Sequence, residues 1–298
     1  RGRPARHAGG GAVARPVGGA DAAARDHAAA VVARAGSSFR LGMRLLPAHR
    51  RAAMYALYAW CRELDDIADD PGPRDGRMAA LEAWRARLAD PAGLTAADAP
   101  PTARALGGAI ADYGLPVAEL LALVDGMAMD VNGPIVAPDA ETFARYTYRV
   151  AGTVGLLSCR IFGVPDGRAD AYALRLGDAL QITNILRDVA EDAADGRLYL
   201  PRPLLDAHGV PADPAAAVAH PAMGAVRAEL ADRARHCFRA AARAVPPGHR
   251  GTLRPARVMG ATYAALLDAM AARGWDDLTP PRLGRVAKLM AVVRGLLT

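Results

Sequence analysis

Two stretches of this chain carry polar and acidic residues at helical spacing on otherwise apolar segments. In "DALQITNILRDVAEDAADGRLYLP", residues 178–201, Gln181, Asn184, Asp188 and Asp192 recur among Leu, Ile, Val and Ala. At about 3.6 residues per turn they fall within an arc of roughly 80°. In "RRAAMYALYAWCRELDDIADDPG", residues 50–72, Tyr58, Arg62, Asp65 and Asp69 do the same within about 60°. Each stripe ends in a D-x-x-x-D pair, with polar residues one and two turns before it.

An acidic helix end is ordinarily a solvated surface and nothing more. Here, carboxylates one turn apart repel each other by a few tenths of a kcal/mol, and aspartates near a helix C-terminus oppose its dipole. Something cationic should compensate. Paired carboxylates one turn apart form a partial shell for Mg²⁺, which takes oxygen ligands, keeps several waters and completes its shell with substrate phosphates. Two facing pairs can hold magnesium over a diphosphate and turn it into a leaving group, by neutralising the charge that grows as the C–O bond breaks. The carbon left behind is a cation that survives only in a dry pocket, where tyrosine faces can steady it. The chemistry read from the stripes is therefore magnesium-assisted ionisation of a diphosphate.

The elements that must position these residues read as helices. From about Ala22 onward, Ala-, Leu- and Arg-rich segments are broken by Pro and Gly at "DDPGPRDG", "DAPPT", "NGPIVAPD", "FGVPDG", "LPRP" and "VPPGHRG". Alternating β-branched runs are scarce, so the expectation is an all-α fold with helices around a central cavity. Residues 1–25, rich in Gly, Pro, Ala and Arg without apolar periodicity, read as a disordered leader or a truncated start, and 26–298 as one domain.

Composition narrows the function classes. The chain has 298 residues, 52% hydrophobic and 23% charged, with no apolar run of the roughly 18 residues a membrane span needs. The net charge of +6 is spread along the sequence rather than gathered into a basic run with aromatics, which argues against nucleic acid and suits an anionic substrate or an anionic membrane surface. Lys288 is the only lysine, so no P-loop Gly-Lys-Ser/Thr exists, and no strand–Gly–helix unit suggests a dinucleotide site. Cys61, Cys159 and Cys237 lie far apart without zinc-ligand spacing, which points to a reducing cytoplasm.

"SSFRLGMRLLPAHRRAAMYALYAWCRELDDIADD", "YRVAGTVGLLSCRIFG" and "LGDALQITNILRDVAEDAADGRLYLP" resemble, in order and spacing, the signatures of the squalene and phytoene synthase family. The resemblance covers about residue 30 to the C-terminus. It implies an isoprenoid-synthase-type helical bundle and an Mg²⁺-dependent prenyltransferase that joins two prenyl diphosphates head to head. Within the family, "RRAAMYALYAWCRELDDIADD", "RPARVMGATYAALLDAMAARGWD" and "KLMAVVRGLL" resemble the bacterial branch that makes presqualene diphosphate from farnesyl diphosphate in hopanoid synthesis, with no NADPH. A phytoene synthase using geranylgeranyl diphosphate and a complete NADPH-dependent squalene synthase are the alternatives.

Carried over position by position, the resemblance makes Asp65 and Asp69 the first metal-binding pair and Asp188 and Asp192 the second. Gln181, Asn184 and Arg187 would contact diphosphate and metal. Ser37, Ser38 and Phe39 match the family's Ser-Phe motif, Tyr58 and Arg62 its residues before the first aspartates, and Tyr146 and Tyr263 its cavity tyrosines. The sequence departs from the family at Arg40, where an aromatic commonly follows "SSF", and in the tail "TPPRLGRVAKLM". The C-terminal membrane anchor of the eukaryotic members is missing, so any membrane association would be peripheral, at the inner face, where downstream hopanoid or squalene pathway enzymes could take the product.

Overall fold

A computed structural model describes residues 21–35, 42–164 and 167–297. The chain runs through α1 (Ala22–Arg34), α2 (Ala48–Ala68), α3 (Arg74–Ala89), α4 (Pro91–Leu94), α5 (Pro101–Tyr113) and α6 (Val117–Val131). It continues through α7 (Ala140–Thr147), a π-helical turn (Tyr148–Gly152), α8 (Thr153–Phe162) and α9 (Asp170–Ala194). The last helices are α10 (Arg202–Ala207), α11 (Pro214–Val218), α12 (Met223–Arg243), α13 (Arg254–Arg273) and α14 (Arg285–Leu297). Among the described residues there is no β-strand, only an isolated bridge between Val136 and Leu198. No helix there is long and apolar enough to cross a membrane.

Helix α1 starts somewhat ahead of the domain boundary placed at 26. The reason is local: the Asp21 carboxylate caps the helix by accepting from the Ala24 N–H at 2.7 Å, and Ala24, Ala28 and Val32 are buried on one face.

The two long striped segments are both helices, and different signals end them. In α2 the next residues are Asp69, Asp70 and Pro71, and a residue before proline is pushed out of the helical region. In α9 the stop is Gly196 at φ +74°, a conformation glycine adopts without strain. At 25 residues, α9 is about 37 Å long and serves two apolar clusters. Its first half joins α1, α2, α3, α5, α6 and α8, where Trp60 meets Trp84 edge to face at 6.0 Å. Its second half joins α7, α10, α12 and the far part of α13 through Leu186, Val189, Phe143, Leu205, Leu230 and Leu267.

Two close approaches hold α9 against the middle of the chain. A Cβ on Gly155 would stand 2.8 Å from the Ala173 carbonyl oxygen, and one on Gly177 3.0 Å from the Ala151 carbonyl oxygen. Only glycine lets α8 and the π turn lie this near α9. On the other side Arg227, 1% exposed, donates to the Leu186 carbonyl at 3.1 Å, the Asp277 carbonyl at 3.0 Å and the Trp275 carbonyl, tying α12 to α9 and to the chain after α13.

Candidate active site

The stripes of α2 and α9 line one cavity of about 460 Å³, within the roughly 300–1,000 Å³ usual for small-molecule sites. Tyr58, Arg62, Asp65 and Asp69 come from α2, and Gln181, Asn184, Arg187, Asp188 and Asp192 from α9. Tyr146 of α7 joins them. The rest of the wall is largely apolar, with Met54, Leu57, Leu123, Met127, Val154, Phe162, Leu176 and Met259. The cavity thus pairs an acidic, arginine-bearing region with a greasy one.

Tyr263 of α13 is 5% exposed and is a hydrogen-bond partner of Arg187, with Asp188 and Tyr58 close enough to act on its hydroxyl. Pro255, Ala256 and Met259, nearer the start of α13, line the cavity itself. Ser37, Ser38, Phe39 and Arg40 lie outside the described residues.

Three residues that the motif reading did not single out complete the polar region. Asp130 of α6 accepts from the Tyr199 hydroxyl at 2.7 Å and from the Tyr146 hydroxyl at 3.3 Å, while the two tyrosine rings stack at 4.9 Å and 18°. Arg197 donates to Asp69 Oδ1 at 3.0 Å, and its backbone N–H donates to the Asp192 carbonyl at 2.7 Å. Arg197 and Tyr199 sit on the segment after α9. The bridge pins that segment to the chain after α6: Leu198 N–H donates to Ile135 O at 2.8 Å, and Ala137 N–H to Leu198 O at 2.7 Å. Asp130 had a signal in the sequence, since it follows Leu123 and Met127 at helical spacing on a strongly apolar segment and all three reach the cavity. Arg197 and Tyr199 had none, being loop residues without periodicity.

The arginines are occupied by neighbouring carboxylates. Arg187 grips Asp188 with two bonds, Nε to Oδ1 at 2.7 Å and Nη2 to Oδ2 at 2.5 Å. Arg62 donates to Asp66 at 2.6 Å and lies 3.7 Å from Asp65. That exposed pairing is worth at most about 1 kcal/mol, so a diphosphate can displace Asp66 at little cost.

Burial and mutual repulsion raise three carboxyls of this cluster. Asp65 is pushed up to about 7, first by burial, with Asp69, Asp66 and Asp130 adding to it and Arg62 opposing. Asp192 also rises to about 7, from burial and then the Asp188 charge. Asp130 rises to about 6 from burial, against the pull of the Tyr199 hydrogen bond and Arg197. The Asp65 side chain keeps 42% exposure, which lets water temper the effect there. Neighbouring carboxyls of this kind are groups that a bound cation would stabilise in the charged form.

A divalent ion fits this donor set. The Oδ1 atom of Asn184 is buried without a hydrogen-bond partner, one turn before Asp188 on the cavity wall. An orphaned buried acceptor costs about 1–3 kcal/mol unless a ligand or ion satisfies it. Among the described residues no three acidic, His or Cys groups close on a single point, so the carboxylates form an open set. Such a set suits an ion that takes one or two carboxylates and draws its remaining oxygens from water and phosphate.

The sequence pattern described as squalene/phytoene synthase matches residues 32–290. A presqualene diphosphate synthase of Zymomonas mobilis subsp. mobilis is 43% identical over 258 residues, 85% of this chain and 86% of that protein. A phytoene synthase of Thermus thermophilus is 37% identical over 266 residues, 88% of this chain and 86% of that protein. Among solved structures, a dehydrosqualene synthase in complex with ligand superposes with a TM-score of 0.79 at 23% identity, over 91% of this chain and 95% of that one, a likeness of fold. Such agreement over most of the chain, together with the cavity built from its two striped helices, has one reading: the chain belongs to the squalene/phytoene synthase family.

Proposed function

We propose that this chain is a presqualene diphosphate synthase, joining two farnesyl diphosphates into one C30 cyclopropyl diphosphate. The observation that carries the reaction class is the single cavity on which both carboxylate pairs and the partnerless Asn184 oxygen meet an apolar interior. The greater identity to the presqualene diphosphate synthase than to the phytoene synthase supports the farnesyl substrate.

In this reading Asp65, Asp69, Asp188 and Asp192 hold Mg²⁺ with help from Asn184, and Arg62, Arg187 and Gln181 hold diphosphate oxygens. Bound there, Mg²⁺ supplies the positive charge that stabilises the departing diphosphate. One substrate loses its diphosphate as the C1–O bond breaks. The double bond of the second substrate attacks the allylic cation, a proton leaves, and the cyclopropane ring closes. The second diphosphate stays on the product, so two substrates yield one presqualene diphosphate, one diphosphate and one proton. Met54, Leu57, Leu123 and Phe162 exclude water from the cation. Tyr146 and Tyr199, stacked and anchored by hydroxyl bonds to Asp130, present electron-rich rings near the carboxylates. The product belongs in a bilayer, and this reading places the chain peripherally on the cytoplasmic face of one.

The test is incubation of purified protein with Mg²⁺ and either farnesyl or geranylgeranyl diphosphate, with and without NADPH. One diphosphate released per two farnesyl diphosphates, with a C30 cyclopropyl diphosphate that NADPH leaves unchanged, is the expected result. Squalene formed only with NADPH overturns the stop at presqualene diphosphate, and exclusive use of the longer substrate overturns the chain length.

A further inference from the structure

Among the described residues, large apolar side chains that stand exposed are few and scattered, except on one element. Leu45, Val136 and Tyr148 are isolated, whereas Val286, Leu289, Met290, Val293, Leu296 and Leu297 share α14, with Val286 75% and Leu297 80% exposed. At 100° per residue these six fall within an arc of about 120°. The opposite side of α14 carries the buried Ala291 and Gly295, one turn apart. A Cβ on Gly295 would stand 2.5 Å from Val258 Cα and 2.9 Å from the Arg257 carbonyl oxygen. The small side therefore lies flush on α13, and the large side faces outward by necessity.

The charge around this face has one sign. From Leu278 to Thr298 the sequence holds Arg282, Arg285, Lys288 and Arg294 and no Asp or Glu. Arg285 and Arg294 flank the apolar arc on its two edges. At the seam with α13, Arg257 is lowered from its usual range by burial and further by the charges of Arg250 and Arg254. Among the described residues, Arg250, Arg254, Arg257, Arg282, Arg285 and Lys288 form no ion pair with a carboxylate. The same α13 walls the cavity with Pro255, Ala256 and Met259, so this face lies one helix away from the apolar interior.

We propose that the apolar face of α14, with its cationic borders, docks on an anionic lipid bilayer, the helix lying in the plane of the headgroups. An apolar stripe edged by cationic side chains, here Arg285 and Arg294, is what an interfacial helix requires, and each cation near an anionic surface strengthens the attachment. A second copy of the chain is a poor occupant, because a two-fold contact would press one positive border against another. This deepens the peripheral placement proposed above. It holds whatever prenyl diphosphate the cavity takes, and its test reads binding rather than turnover.

The experiment is vesicle flotation of the purified chain with phosphatidylcholine alone and with phosphatidylcholine mixed with phosphatidylglycerol. The parent protein is expected on the mixed vesicles and only weakly on the neutral ones, with added salt releasing it. Replacing Leu289, Met290 and Val293 with Ser should weaken attachment more than about tenfold on the mixed vesicles. Arg285→Glu, at one edge of the apolar arc, should cost about fivefold or more on those vesicles alone. Unchanged melting temperature and unchanged diphosphate release in detergent confirm that the variants are folded. Equal binding to both vesicle types, no binding at low salt, or variants that float like the parent overturn the proposal. So does a dimer in light scattering that the Ser variant dissociates while flotation is unaltered, since the face would then be a contact between copies. The parent's dependence on lipid and salt decides the matter even if a variant fails to fold.

Discussion

Replacing Asp130 with Asn should make the metal-free protein more stable near neutral pH and leave it nearly unchanged in acid. Burial moves the Asp130 carboxyl from 3.8 to about 6. A raised carboxyl pKa is a penalty: the charged form is worse off in the fold than in the unfolded chain. That penalty is absent below about pH 4, grows between pH 4 and 6, and is complete above it. Roughly two pKa units correspond to about 3 kcal/mol. Against this, Asn gives up charge assistance in the 2.7 Å bond from Tyr199, worth about 1 kcal/mol. The longer bond from Tyr146, at 3.3 Å, contributes less. The net gain should be about 1–2 kcal/mol at pH 7.5, close to zero at pH 4.5. Urea midpoints in EDTA at the two pH values, at constant m, measure it. An Asp130→Asn variant that is equally or less stable than the parent at pH 7.5 would refute the reasoning, since Asp130 would then be held by its hydrogen bonds rather than strained by its burial. Activity should fall in the same variant, because the anchored tyrosines lose an anionic partner.

Asp65→Asn or Asp188→Asn keeps shape but removes a charged oxygen, so turnover should drop at least a hundredfold, about 2.7 kcal/mol or more, with circular dichroism unchanged; full activity with intact Mg²⁺ dependence would remove these aspartates from the site. Arg62→Lys conserves charge but loses the planar fork, and KM for the prenyl diphosphate should rise about tenfold; parent-like kinetics would make Arg62 a surface residue paired with Asp66. Asp65 and Asp192 are both raised to about 7, so protons compete with Mg²⁺ below that pH. Calorimetric Mg²⁺ affinity with diphosphate present should weaken by about tenfold from pH 8 to pH 6, and a flat profile would contradict the shared cluster.

What the sequence determined by itself was everything that depends on spacing along one helix. The stripes at 58, 62, 65, 69 and at 181, 184, 188, 192 are consequences of helical periodicity, so the acids and their flanking polar groups were legible before any packing was known. The Pro71 stop was legible for the same local reason. That the two stripes share one cavity is a tertiary fact. It rests on the close approaches at Gly155 and Gly177 and on apolar packing between elements distant in the chain. Asp130, Arg197 and Tyr199 meet only because the backbone bridge between Val136 and Leu198 clips one loop to another, and no local period announces such a pairing. Tyr263 shows the converse: its helix is legible, but that its hydroxyl meets Arg187 of α9 is decided by how α13 crosses its neighbours. On α14 the sequence supplies an amphipathic pattern. Only the seating of Gly295 against Val258 decides that the small side is buried and the large apolar side is left outward.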